Sequence, residues 1–408
     1  MVPNGWKIKK LDEICEINPR KPSEPDDCFV SFISMSQLSE DGRIISKDTK
    51  NYDEVSKGFT SFKDNDVLVA KITPCFENGK GALVNNLTNG IGFGSTEFHV
   101  LRAKKTSDPQ FIFYLTRTNA FRARGTMNMQ GSAGHRRVTT DFIKVYKVLT
   151  PPLPEQQKIA TILSTWDKAI DTTERLIDNS KQLKKALMQQ LLTGKKRLLD
   201  DNGKPFEGEW VSSQLKDITD FIKDGTHGTH KRYESGIPML SAKNITKQYT
   251  VDFDDAPRIS EEDYNKIHAK YTIKSGDILL TVVGTLGRVA IVPDELVEKF
   301  TLQRSVAIMR VNAQSAYNQF LKQLFSSSEF TNLLHRKSNS TAQAGIYLGE
   351  LGKLKIDLPP LKEQQKIAAV LTNTDKEIEL LEQQLADLQQ EKKALMQVLL
   401  TGKVRVKV

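Results

Sequence analysis

The side chains in this chain best placed for chemistry are cations and amides gathered around glycine-containing loops. GSAGHRRV (131–138) sets His135, Arg136 and Arg137 side by side, and Lys71, Lys80, Arg122 and Arg124 add positive charge within the first 150 residues. Farther along, DGTHGTHKR (224–232) supplies His227, His230, Lys231 and Arg232, followed by Lys243, Asn244, Arg288, Arg304 and Lys337. Guanidinium and ammonium groups on loops suit phosphate oxygens, and Arg, Lys, Asn and Gln match base edges, so the chemistry on offer is recognition of a nucleic acid. The HxxH of His227 and His230 could give two metal ligands, but only His268 and His335 could add imidazoles and no cysteine lies in that part of the chain, which argues against a metal site. Asp254-Asp255 and Glu261-Glu262 sit in a polar stretch and read as surface, which leaves no acid–base pair to nominate. The string Gly90-Ile91-Gly92-Phe93-Gly94 lacks the strand-opening-a-helix context of a cofactor loop.

Composition bounds what can carry these residues. With 408 residues and 38% hydrophobic content, the chain can bury two separate cores. No apolar run approaches the roughly 18 residues of a membrane span, and MVPNGWKIKK lacks the apolar centre of a signal peptide, so a cytoplasmic protein without a membrane partner is expected. Cys15, Cys28 and Cys75 form no CxxC, which argues against a disulfide framework or a cysteine metal site. Net charge is +9, distributed as about +5 over 1–150, about +4 over 151–198, about −1 over 199–358 and about +1 over the tail. If both halves bind nucleic acid, the later one must rely on local clusters such as His230-Lys231-Arg232 and Arg336-Lys337 rather than a general positive field.

The elements that position these residues are written twice. PPLPEQQKIATIL at 151 returns as PPLKEQQKIAAVL at 359, and KKALMQQLLTGKKR returns as KKALMQVLLTGKVR; about 27 of 48 aligned positions are identical, too many for chance. Proline pairs open each segment, Glu155 and Glu363 fall in a first turn, and Gly194 and Gly402 stand where a C-cap belongs, which predicts two helices of about 38 residues, about 57 Å each. In the second, Leu371, Thr374, Ile378, Leu381, Leu385, Leu388, Lys392, Leu395 and Leu399 alternate in steps of three and four, the seam of a coiled coil. The first keeps the frame with Leu163, Trp166, Ile170, Ile177, Leu187 and Leu191, interrupted by Thr173, Ser180 and Lys184. The segment 199–358 leaves the end of the first helix and returns to the start of the second, so the two helices are expected to run antiparallel with a module at each end.

The modules resemble each other faintly. Trp6, Leu11, Glu13 and Ile14 match Trp210, Leu215, Asp217 and Ile218; DVLVAK (66–71) parallels DILLTV (277–282) and GKGALV (79–84) parallels GRVAIV (287–292), all strand-like. The matching placement of Trp6 and Trp210 favours core packing over base stacking. The expectation is an α+β chain with a pseudo-two-fold internal repeat: a first module over 1–150, a helix over 151–198, a second module over 199–358 and a second helix over 359–408, the helices pairing as a coiled-coil spacer.

With these motifs in this order, the sequence resembles the specificity subunit of type I restriction-modification systems, in which two target-recognition domains are each followed by a PPLxEQxxIA helix ending in LLTGKxR. GWKIKKLDEI, GSTEFHVLR (94–102) with its counterpart LQRSVAIMR (302–310), the DGTHGTH loop and GSAGHRRV belong to the same likeness, which spans essentially the whole chain. The resemblance implies a non-catalytic DNA-recognition subunit: each domain reads one half of a bipartite double-stranded site, and the helices hold two methyltransferase subunits and set the half-site spacing. Restriction (motor-nuclease) subunits would complete the complex. It further implies no cofactor on this chain, S-adenosylmethionine on the methyltransferase partner, and ATP and Mg on the restriction partner. The chain accordingly contains no NPPY or DPPY, no G-x4-G-K-[ST] and no HExxH. The competing classes are a nuclease with a divalent-metal site of its own and a coiled-coil scaffold that pairs two proteins without reading DNA.

Overall fold

A computed structural model of the chain describes residues 2–132, 134–294, 299–338 and 345–407. The proline pairs start helices as expected. The carbonyl of Pro152 accepts from the backbone N–H groups of Glu155 and Gln156, and that of Pro360 from those of Glu363 and Gln364. The resulting helices, Leu153–Leu191 and Leu361–Leu399, are 39 residues each, about 58 Å long. Gly194 and Gly402, both at φ +68, then turn the chain in a left-handed conformation that glycine adopts without steric cost.

The chain divides into two units, residues 1–174 with 383–408 and residues 175–382, and both helices contribute to both. Within the first unit the helices run antiparallel: Glu155 in the first turn of one pairs with Arg405 past the end of the other, while farther along Asp167 pairs with Lys392 and Trp166 Nε1 donates to Glu391 at 3.2 Å. Within the second, Lys184 pairs with Asp375 and Lys181 with Glu382, again antiparallel. Leu163, Ile177, Leu191, Leu371 and Leu399 are buried along the seam, while Trp166, Ile170, Leu187, Ile378, Leu381, Leu385, Leu388 and Leu395 are half-buried. One expectation needs correcting. Thr173, Ser180 and Lys184 do not interrupt the seam; Thr173 and Ser180 are buried in it, as is Thr374, and the hydroxyls of Thr173 and Thr374 bond back to the carbonyls of Ala169 and Val370. Lys184 and Lys392 are accommodated because each ammonium meets a carboxylate on the other helix.

Each unit carries a mixed α+β module built on one plan. In the first, a four-stranded antiparallel sheet runs Cys15–Ile17, Phe98–Ala103, Asp66–Ala70, Gly81–Leu83; in the second, Thr219–Asp224, Val306–Val311, Ile278–Thr281, Val289–Ile291. The strand-like segments paired by sequence thus occupy the same places. Asp66 and Asp277, both buried, each hold a two-point pair with an arginine on the neighbouring strand, Arg102 and Arg310. Each module closes on itself just before its helix, because Lys7–Lys10 pairs with Lys147–Thr150 and Val211–Gln214 pairs with Lys355–Leu358. The glycine string near residue 92 is a strand, Ile91–Gly94, in a second sheet; a Cβ on Gly92 would lie 2.1 Å from the Phe62 ring, so only glycine fits.

The modules are fastened to the helices by the motif residues themselves. Glu155, in the first turn of the first helix, is 3% exposed and takes a two-point pair from Arg405 at 2.7 and 2.8 Å; Glu363, fully buried at the equivalent place, takes one from Arg197 at 2.6 and 2.6 Å. The Glu of PPLxEQ in one repeat is therefore bound by the Arg of LLTGKxR in the other. The neighbouring glutamines tie each helix to its own module: Gln156 accepts from Asp108 N–H and donates to Pro151 O, and Gln364 accepts from Tyr317 N–H and donates to Pro359 O. Trp6 is buried, as expected, and its Nε1 donates to Glu155, while Trp210 packs beside Gly194.

These buried pairs should dominate the stability of the two units. Replacing Arg197 by Ala would strand the Glu363 carboxylate, with an expected cost of about 3 kcal/mol in urea unfolding. Lys181→Ala, which removes a pair half exposed on both sides, should cost under about 1 kcal/mol. Equal losses in the two variants would show that burial of the carboxylate is not what fastens the repeats together.

Candidate nucleic-acid interface

In the first module the residues nominated from sequence do not form one undifferentiated patch. Arg137 leads a cluster at the ends of the two central strands of the four-stranded sheet. Its Nε donates to both oxygens of Glu97 at 3.1 and 3.0 Å, its Nη2 to Glu97 Oε1 at 2.8 Å, and its Nη1 to the carbonyl of His135 at 3.1 Å. The guanidinium holds the Glu97 carboxyl below its usual range, chiefly by hydrogen bonding. Lys71 donates to Thr96 O at 2.8 Å, and burial lowers its ammonium from the ordinary value. Arg136 lies 3.8 Å from Glu77 and His135 is exposed. Lys80 donates to Met35 O at 3.1 Å, and Arg124 is exposed, over the Tyr146 ring.

Arg122 belongs elsewhere. Its guanidinium donates to the carbonyls of Phe76 and Gly79 and stacks over the Phe76 ring, and burial pushes its pKa down to about 9. The expected surface contact is thereby corrected to a clamp on the loop that follows Lys71. Glu97 and His99 join the first cluster without the basic signature of its other members, one being an acid and the other a strand residue. The signal was present in GSTEFHVLR, where both side chains precede or occupy the strand Phe98–Ala103.

In the second module His227, His230, Lys231 and Arg232 lie on the 224–232 loop, and Arg304 lies against it. His227 Nε2 bonds Asp224 at 2.6 Å; His230 bonds the Thr226 hydroxyl through Nε2 at 2.8 Å and faces Asp263 through Nδ1 at 3.4 Å. The two histidines thus take separate partners. Lys231 lies over the Tyr233 ring, and Arg232 and Arg304 are exposed; the backbone N–H of Arg304 donates to Thr226 O, which brings Arg304 against this loop. Lys243 donates to Asp255 O and Arg288 to Ile245 O. Lys337 is exposed at the end of the helix Ser328–Lys337. Asn244 is a second correction: it is buried, its Oδ1 accepts from the backbone and hydroxyl of Ser241, and its Nδ2 donates to the carbonyls of Asp252 and Asp254. With its amide hydrogens occupied inside the module, it cannot face a base. Ala133 of GSAGHRRV lies outside the described residues.

The model of the type I restriction modification DNA specificity domain matches this chain twice, over residues 3–182 and 207–390. The chain belongs to that family. Each match joins one module to most of the helix that follows it, and the starts and ends are offset by 204 (207 − 3) and 208 (390 − 182) residues, in keeping with the repeat. Among relatives, the type I restriction enzyme EcoAI specificity subunit of Escherichia coli is 35% identical over 197 residues, 47% of this chain and 33% of that protein. The alignment therefore spans a third of the length of that relative. The MjaVIII specificity subunit of Methanocaldococcus jannaschii is 27% identical across all of this chain and 94% of its own. Among solved structures, the type I restriction-modification S subunit from M. genitalium aligns over 97% of this chain and 96% of its own, with a TM-score of 0.58 and 16% identity, a likeness of fold.

One prediction concerns His99, buried between the cluster and the sheet. Its Nε2 meets the Val138 carbonyl at 2.8 Å and its Nδ1 meets Asn18 Nδ2, partners that suit a neutral ring. Burial lowers its pKa to about 4. The unfolded chain takes up this proton near pH 6.5 and the folded one only near pH 4, so stability is full above pH 6.5 and falls between those values as pH drops, by up to about 3 kcal/mol. Urea midpoints for the protein and for His99→Gln should converge as pH falls from 7 to 4.5. Parallel curves would show that His99 is not the group responsible.

Proposed function

We propose that this chain is the sequence-specific DNA-recognition subunit of a type I restriction-modification complex, each module reading one half of a bipartite double-stranded site. The observation that carries the reading is a shared scaffold with unlike surfaces. The two modules share the strand order of one four-stranded sheet, a buried Asp–Arg pair and a helix attachment, while the cationic side chains around their loops differ in kind and place. Such a pair serves two different targets better than two copies of one.

On this reading the chain catalyses nothing itself. The long helices seat two methyltransferase subunits and set the distance between the half-sites, and restriction subunits join for cleavage. S-adenosylmethionine belongs to the methyltransferase partner, and ATP and Mg to the motor-nuclease partner. The complex acts on cytoplasmic DNA. No helix among the described residues is long and apolar enough to cross a membrane. The EcoAI and MjaVIII relatives are named as type I specificity subunits, which supports the assignment.

Mapping methylated adenines in DNA from cells that express the chain with its methyltransferase should reveal two short half-sites separated by a fixed gap. Exchange of residues 1–150 for another module should alter one half and spare the other; loss of both would contradict independent reading. Removing one heptad from each helix shortens the spacer by about 10 Å, so the gap should shrink by about three base pairs at 3.4 Å per step. A gap that stays the same would defeat the idea that the helices measure it.

A further inference from the structure

Backbone hydrogen bonds identify equivalent positions in the two modules independently of residue type. In the first, Lys71 N–H donates to Glu97 O and Val138 N–H to Lys71 O; in the second, Val282 N–H donates to Ser305 O and Ile346 N–H to Val282 O. The bridges Ile72↔Arg137 and Val283↔Gly345 complete the match. Lys71, Glu97 and Arg137 thus stand where the second module has Val282, Ser305 and Gly345. The scaffold does without this charged trio in one of its two copies, so folding does not account for it.

Its geometry points to a use. A guanidinium has five N–H donors in one plane. Arg137 gives Nε–H and one Nη2–H to Glu97 and one Nη1–H to His135 O, which leaves one N–H on each terminal nitrogen. Two donors on adjacent nitrogens are the match for O6 and N7 of guanine in the major groove. The side chain is 47% exposed, and its position is fixed from two sides before any ligand arrives. Lys71, held on Thr96 O beside it, adds positive charge without competing for Glu97 by a direct bond.

We infer that Arg137 is a specificity-determining residue of the first module, reading a guanine in its half-site, and that Glu97 is the positioning residue that aims it. The inference rests on the proposed DNA-recognition role. In the second module the same place is small and uncharged, and selection there falls to groups on the 224–232 loop and Arg304.

The test compares the full-length chain, co-expressed with its methyltransferase, with Arg137→Lys and Glu97→Gln in binding to randomised duplexes and in the adenine-methylation motif. Arg137→Lys keeps the charge and loses the two-point edge. Preference for guanine at one position of the half-site governed by residues 1–150 should fall about 5- to 150-fold, with the other half-site unchanged. Glu97→Gln should relax the same position less, and at no other. An unchanged motif in Arg137→Lys would overturn the inference. So would a uniform loss across all sequences in Arg137→Ala with a salt dependence reduced by about one charge, which marks a phosphate contact. A wild-type chain that selects no motif would overturn the DNA-recognition reading itself and this inference with it, an outcome distinguished by the unmutated control.

Discussion

The exchanged pair between a buried glutamate at the start of one long helix and an arginine just past the end of the other is the contact on which the rest of this molecule depends. A carboxylate so buried is tolerated only with its partner in place, and Glu363 and Glu155 find theirs in Arg197 and Arg405, each from the other repeat. The bond does three things at once. It neutralises a charge near a helix N-terminus, it brings the LLTGKxR turn against the module, and through Trp6 and Gly402 it packs the entry of the first module onto the end of the second helix. Because the donor and acceptor come from different repeats, each unit is completed by residues contributed from both.

The rest of the helix pairing follows the same reciprocity. Lys184 meets Asp375 and Lys392 meets Asp167, pairs related by the repeat; Gln323 donates to Asp375 where Tyr114 donates to Asp167. The polar groups on the seam are therefore matched rather than faulty. A seam of leucine alone tolerates shifts of register, whereas buried charges and hydroxyls accept only the arrangement that satisfies them.

The modules show the complementary behaviour. Where the chain must hold its sheet together, the copies agree in chemistry, as in Asp66–Arg102 and Asp277–Arg310. Around the loops they diverge, and positions equivalent in hydrogen bonding carry Lys71, Glu97 and Arg137 in one and Val282, Ser305 and Gly345 in the other. On the proposed reading that contrast has a meaning: the common part builds a frame, and the unlike part chooses the target.

Much of this was legible in the residues. Repetition, proline pairs and three-four spacing are local properties, so the two helices, their antiparallel course, the paired strands and the burial of Trp6 could be read directly. The partners of polar side chains could not, because they depend on which distant segments meet. Asn244 and Arg122 have the composition of contact residues, yet carbonyls brought near by folding occupy them. Thr173 and Ser180 read as breaks in a seam until the opposing helix buried them. Glu97 was invisible to a search for positive charge, although it aims Arg137. By itself the sequence determined the architecture, since periodicity and repetition are written along the chain; only the tertiary structure decided which charges are structural and which remain free, since that is settled by the bonds each group has already made.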